Sequence, residues 1–262
     1  KTKNAEKFEK VKDLDAVIES VHKKWLPQLK KQDYSLDCVA STMLEVLYMF
    51  SARIGSAGNS AGGQSTFGIS TLEVRHLKFS PGKCLIAYVG KDGVKQRHLL
   101  EASASPVAKQ VYNNLKLFVD QKEPKERVFT FEVNGRWKPM VGGIVNGYFK
   151  RLGSPVTVHK LRHLKGTELF TQLMADQADL IFKRRTKPWT EAEATALLKK
   201  FATQVGALLG HVRGAGRQEK VTPATAIANY ISPQAMMALF DTLDVRYPRF
   251  LEKIINKDAV SK

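Results

Sequence analysis

Residues 51–78 read SARIGSAGNSAGGQSTFGISTLEVRHLK. In front of them an apolar run, residues 43–50, has helical spacing; behind the glycines the chain begins to alternate as a strand does. By itself the Gly-, Ser- and Asn-rich centre is a linker. Its edge is more informative. Arg53 stands at the expected end of a helix, where glycines let backbone bend closely around whatever the arginine binds.

The charge narrows what that could be. The 262 residues carry 42 Lys and Arg against 25 Asp and Glu, a formal net charge of +17. Such an excess points to a polyanion, and nucleic acid comes first because neutralising phosphate drives its binding. A membrane fits less well. No apolar run reaches about 18 residues, there is no signal peptide, and the basic residues are spread along the chain. Cys38 and Cys84 stand alone and far apart, which suggests neither a zinc site nor a disulfide framework. An intracellular, DNA-associated location is expected. The chain opens at Lys1 in a charged segment, as a piece of a longer protein would.

Residues 7–31 have the spacing of an amphipathic helix, with Phe8, Val11, Leu14, Ile18, Val21 and Trp25 on one face and Pro27 as a bend or early end. Ser35 can cap a second helix running to Ser51. Three strands are expected at 68–78, 83–89 and 94–100. Pro81-Gly82 and Gly90-Lys91-Asp92-Gly93 are the turns between them, so Lys91 falls at a hairpin tip. Beyond a helix at 104–121, a brief strand at 128–131 and a turn at Asn134-Gly135, helices are expected at 141–152, 157–176, 190–209, 223–230 and 233–247. The fold class is α+β, mainly helical, with a small antiparallel three-stranded sheet. The whole chain is expected to form one catalytic domain, with possible sub-parts at 1–125 and 126–262.

Several kinds of chemistry are missing. There is no zinc-protease motif, no nucleotide phosphate loop, no serine-hydrolase elbow and no Asp/Glu cluster of the kind a magnesium nuclease needs. A strongly basic protein of this kind either binds DNA only or cuts it with a side-chain nucleophile. Arg162 in His159-Lys160-Leu161-Arg162-His163, with His159 one helical turn away, is one candidate group. His211 at the end of a helix is another. Tyr230 lies between a helix end and the Ser232-Pro233 cap of the next. Each alone is weak, because a lone His or Tyr in such a place is usually structural. Together they suit phosphoryl transfer. Arginine presents a planar fork to phosphate oxygens, cationic neighbours stabilise an attacking phenolate, and a hairpin lysine can protonate the leaving sugar oxygen.

The order Arg53, Lys91, Arg162, His211, Tyr230 resembles the catalytic pentad of the type IB DNA topoisomerases. Arg53-Ile54-Gly55, followed after an insert by Phe67-Gly68-Ile69-Ser70-Thr71-Leu72 and Arg75-His76-Leu77, is similar to the R-x-G … F/Y-G-L/I-x-T/S-L-x-x-x-H segment of their compact viral and bacterial branch. Gly90-Lys91-Asp92 resembles that branch's Gly-Lys hairpin. The resemblance runs from about residue 7 to 247. It has no counterpart for the small β-rich N-terminal domain that completes the family's DNA clamp.

The resemblance implies that Arg53, Arg162 and His211 hold the non-bridging oxygens. Lys91, helped by Arg53, protonates the departing 5′-oxygen, and Tyr230 becomes linked to the 3′-phosphate. It also implies double-stranded DNA as partner, a monomer on DNA, and no cofactor or metal.

Around Arg162 the chain is closer to the H-x-L-R-H box of the tyrosine recombinases, and Leu209-Gly210-His211 resembles their L-G-H. Those enzymes place the tyrosine after a much shorter interval and lack the F-G-x-x-T-L segment, so the topoisomerase reading leads. A recombinase, and a DNA-binding module without catalysis, are the alternatives. His159 is a candidate for supporting, from behind, the residues that hold the phosphate. Arg75, His76, Lys95, Lys165 and Arg213 are expected DNA contacts, with Lys95 also an alternative acid. The cluster Lys183, Arg184, Arg185 and Lys187 reads as a solvated loop, a DNA-backbone contact or a nuclear-import signal. His22 and His98 look like surface residues, His163 like a structural residue or a backbone contact, and Phe67 and Tyr88 like core.

Overall fold

A computed structural model describes residues 14–55, 60–61, 64–178, 187–209, 221 and 223–253. They fall into two compact units, one from Val17 to Leu161 and one from Arg162 onward together with the chain up to Ala16. The described residues are mainly helical, with a small antiparallel three-stranded sheet, as the residue pattern predicts.

In the Val17–Leu161 unit, helix α1 (Leu14–Trp25) passes into a 3-10 turn, Leu26–Lys31, with Pro27 in its first turn. Proline lacks the N–H that would continue the α-helix. The part of the expected helix before Leu14 lies outside the described residues. Helix α2 (Leu36–Phe50) starts where Ser35 accepts a hydrogen bond from the Cys38 N–H, and every residue from Cys38 to Leu47 is buried. A helix buried on all sides must pair its polar groups internally. Thr42 Oγ1 donates to the Cys38 carbonyl at 2.8 Å and accepts from Asn114 Nδ2 at 2.9 Å. Glu45 Oε2 meets Trp25 Nε1 and His22 Nε2, each at 2.8 Å.

That contact corrects the surface reading of His22, whose ring lies 4.7 Å from both Trp25 and Tyr48. His98 is corrected likewise. It is half-buried, 5.0 Å from the Phe50 ring.

Behind α2, residues 60–61 and 64–65 form a short antiparallel ribbon, β1 (Ser60–Ala61) and β2 (Gln64–Ser65). The sheet follows, β3 (Leu77–Ser80), β4 (Lys83–Val89) and β5 (Lys95–Glu101), in that spatial order. Ser80 pairs with Lys83 across Pro81-Gly82, and Val89 with Lys95 across the Lys91 turn. Cys84, Ile86 and Tyr88 face inward along β4.

The expected strand at 68–78 is a correction: only Leu77 and Lys78 belong to a strand. Ile69–Thr71 and Val74–His76 are 3-10 turns. Local side chains win the backbone donors there, since the Gly68 N–H bonds Thr71 Oγ1 and the Glu73 N–H bonds His76 Nδ1. The next donors, from Val74 and Arg75, reach the carbonyls of Glu126 and Pro124.

Helix α3 (Pro106–Val119), capped by Ser105, buries Ala108, Val111, Leu115 and Phe118. The hairpin β6 (Thr130–Val133) and β7 (Arg136–Pro139) turns at Asn134 and Gly135, both with positive φ. Helix α4 (Gly142–Arg151) follows, and its Tyr148 hydroxyl lies 2.9 Å from Ser41 Oγ on α2.

The unit from Arg162 has no strand among its described residues. Helix α5 (Lys160–Asp176) supplies most of its length to this unit. Helix α6 (Glu191–Leu208) opens on a capping box between Thr190 and Glu193. Helices α7 (Pro223–Asn229) and α8 (Pro233–Thr242) complete it. Phe170, Leu198, Phe201, Val205, Ile231 and Phe240 are fully buried in its core. Helix α8 ends at Thr242, short of the expected residue 247, and Asp244 just beyond has φ +51°.

Candidate active site

Arg53 lies just past the end of α2, where Ser51 takes a left-handed conformation and closes the helix. Its carbonyl accepts from the Ile69 N–H at 2.9 Å, and that of Ile54 accepts from the Ser70 N–H at 2.7 Å. Gly55 and Gly68 meet at this junction. A β-carbon on Gly68 would stand 2.5 Å from Gly55 and 2.7 Å from the Arg53 carbonyl oxygen. Gly55 also has φ +84°, a backbone that favours glycine. Arg53 is therefore fixed through its own main chain, and its half-buried side chain extends from a rigid base.

The same segment reaches Lys91. The Phe67 N–H bonds the Val89 carbonyl at 2.8 Å, one residue before the hairpin turn, and β1 lies against the turn itself. The turn closes by Gly90 N–H to Val94 O at 2.7 Å, with Gly93 at φ +77°. Lys91 is exposed at its tip, and Lys95 is exposed at the start of β5. One backbone network thus connects Arg53 with the Lys91 hairpin.

In the other unit Arg162 and Tyr230 come together. Arg162 is 3 % exposed, and its Nη2 donates to the Leu209 carbonyl at 2.7 Å, at the negative end of α6. Its guanidinium carbon lies 5.6 Å from the centre of the Tyr230 ring. Tyr230 follows the last turn of α7, with its N–H on the Ala226 carbonyl, and is 7 % exposed. His211 and Arg213 lie outside the described residues, as do Lys183, Arg184 and Arg185.

The expected DNA contacts are placed individually. Arg75 Nε donates to Glu73 Oε2 at 2.7 Å, and its guanidinium lies 5.8 Å from the Phe67 ring. The His76 ring packs 4.3 Å from Phe67, and burial first, then the charge of Arg75, holds its pKa below the usual 6.5. Phe67, Arg75, His76, Tyr88, Lys95 and Arg97 line a basin of about 640 Å³ on the sheet. Lys165 is paired with Glu168 at 2.6 Å, and Lys187 is exposed before α6. His159 is exposed in the turn ahead of α5, so the helix that carries Arg162 begins after it.

Three residues were not singled out for this site by sequence reasoning: His163, Gly166 and Thr167. They recur at one-turn spacing on α5, and each touches Tyr230 or its chain neighbours. The signal was spacing from Arg162, in a stretch that otherwise reads as ordinary helix. Among the described residues, no three His, Cys, Asp or Glu side chains are grouped to hold a metal ion, and no helix is long and apolar enough to cross a membrane.

A basic, mainly helical chain that seats an arginine over a buried tyrosine fits a class of enzyme acting on DNA. Compared with protein families, residues 1–235 match the model described as eukaryotic DNA topoisomerase I, catalytic core. The chain belongs to that family, and with it to the type IB DNA topoisomerases. No curated protein matches it.

Proposed function

We propose that the chain is the catalytic domain of a type IB topoisomerase of the compact viral and bacterial kind, acting as a monomer on duplex DNA. Tyr230 Oη releases its proton to solvent and attacks the scissile phosphorus, forming a 3′-phosphotyrosyl ester. The P–O5′ bond breaks, and Lys91 gives the departing oxygen its proton. Arg53, Arg162 and His211 hold the non-bridging oxygens as charge builds on them. The ester conserves the bond energy, so the strand rotates and religates by reversal of the same steps, with neither ATP nor metal. Arg75, Lys95 and Arg97 around the sheet basin, with His76, face the DNA backbone. The protein works wherever the cell or virion keeps its DNA.

The observation that carries this reading is the meeting of Arg162 and Tyr230, far apart in sequence, in one buried site. The Arg53–Lys91 backbone network adds to it. Supercoiled plasmid incubated with EDTA and without ATP tests it. A ladder of relaxed topoisomers supports the topoisomerase. Salt-sensitive binding without relaxation supports a non-catalytic module. Exchange between two specific sites supports a recombinase, the reading that His159-Lys160-Leu161-Arg162-His163 favours.

A further inference from the structure

We infer that His163, Gly166 and Thr167 on α5 form a cradle that positions Tyr230, so that one helix fixes both the nucleophile and the phosphate-binding Arg162. The inference rests on Tyr230 being the nucleophile.

A tyrosine on a short connector is poorly placed for catalysis unless something rigid holds it, because loops move more than the helices they join. Tyr230 sits on such a connector, between α7 and α8. His163 is 4 % exposed and stacks on the Tyr230 ring, with centroids 4.9 Å apart and planes inclined by 21°. Its Nδ1 bonds the Asn229 carbonyl. A carbonyl can only accept, so Nδ1 carries the hydrogen, and this bond fixes both the imidazole's tautomer and its ring plane.

One turn along, Gly166 lets the helix touch the nucleophile's backbone. A β-carbon there would lie 2.5 Å from the Tyr230 carbonyl oxygen and 2.8 Å from Tyr230 Cβ. Thr167 Oγ1 then accepts from the Ser232 N–H at 3.0 Å and donates to the Tyr230 carbonyl at 3.4 Å. The ring, the carbonyl and Ser232, two residues further on, are all held by one helical face. Arg162 leaves the same helix one residue earlier, with its charge 5.6 Å from the ring. Nucleophile and phosphate ligand thus share a rigid body, which matters because a misplacement of about 1 Å can cost about 100-fold in rate.

The test is single-turnover cleavage of a duplex by excess protein, with rate and amplitude read separately. A folding defect lowers the amplitude, whereas a positioning defect lowers the rate. H163A is expected to cleave at least about tenfold more slowly with unchanged DNA affinity, and H163F, which keeps a stacking ring, to fall between it and the parent. Religation should slow by the same factor as cleavage, leaving the equilibrium share of covalent complex unchanged.

T167V keeps the side-chain volume and removes the hydroxyl, so it and H163F carry the test if H163A loses all amplitude. Parent rates in H163A, or in both H163F and T167V, overturn the inference while the adduct still maps to Tyr230. A parent protein that forms no adduct at Tyr230 overturns the proposed function, and the inference with it.

Discussion

Gly55 and Gly68 pack backbone against backbone, so closely that a β-carbon on either would lie within 2.8 Å of the other's Cα. The contact joins the segment carrying Arg53 to the segment leading into the sheet. The Ile69 and Ser70 N–H groups bond the carbonyls of Arg53 and Ile54 on either side of it. What looks like a glycine-rich linker has ends that are clamped together.

Gly68→Ala should therefore act on Arg53 at a distance. The added methyl has no flexible side chain to displace, only the backbone of Gly55 and Arg53. A stability loss of about 1–3 kcal/mol is expected, of the size seen when a packed site is overfilled. Cleavage should fall further than stability explains. Urea unfolding and single-turnover cleavage on one preparation separate the two, and unchanged values in both would contradict a rigid junction.

Tyr230→Phe should abolish covalent trapping on DNA and leave affinity intact. The ring faced by His163 and Arg162 is kept, and only the hydroxyl is lost. Denaturing gels of protein incubated with labelled duplex give the readout. A surviving adduct means that another residue is the nucleophile.

Lys91→Ala should slow cleavage strongly on ordinary DNA and much less on a duplex whose leaving 5′-oxygen is replaced by sulfur. A thiolate leaves without needing a proton, so the exposed hairpin lysine becomes dispensable. No rescue by sulfur would remove Lys91 from the role of acid.

Glu45→Ala should destabilise the Val17–Leu161 unit without touching the chemistry. It leaves the buried Trp25 Nε1 and the His22 imidazole without the carboxylate they share. Each stranded donor costs about 1–3 kcal/mol. A lowered denaturation midpoint with unchanged cleavage per folded molecule is expected.

His76 gives stability a pH dependence with a definite sign. Burial and the neighbouring Arg75 and Arg127 hold its folded pKa below 6.5, against a smaller opposing pull from Glu73. The folded state therefore favours the neutral ring. Its contribution is complete above about pH 6.5 and is lost as the pH falls through the depressed folded value. Denaturation midpoints measured from pH 7.5 down to 5 should fall less steeply in His76→Gln than in the parent.

Much of the framework was legible because its signals are local. Ser35 and Ser232 cap their helices where the sequence places them, and Pro81-Gly82 and Asn134-Gly135 turn their strands. Each signal involves a hydrogen bond or a φ preference spanning only a few residues. The expected strand at 68–78 failed for the opposite reason. Alongside the local bonds of its 3-10 turns, its Ile69, Ser70, Val74 and Arg75 donors are taken by Arg53, Ile54, Glu126 and Pro124, partners that no window around residue 70 contains. His22 was misread in the same way, since its partner Glu45 lies on another helix.

The sequence by itself determined the charge, the main helices and the hairpins of the three-stranded sheet, because these depend on residue type and spacing along the chain. Only the tertiary structure decided that Gly55 locks onto Gly68 and that His163 lies flat on Tyr230. Both are contacts between segments distant in the chain, and van der Waals fit between such segments exists only once the chain is folded.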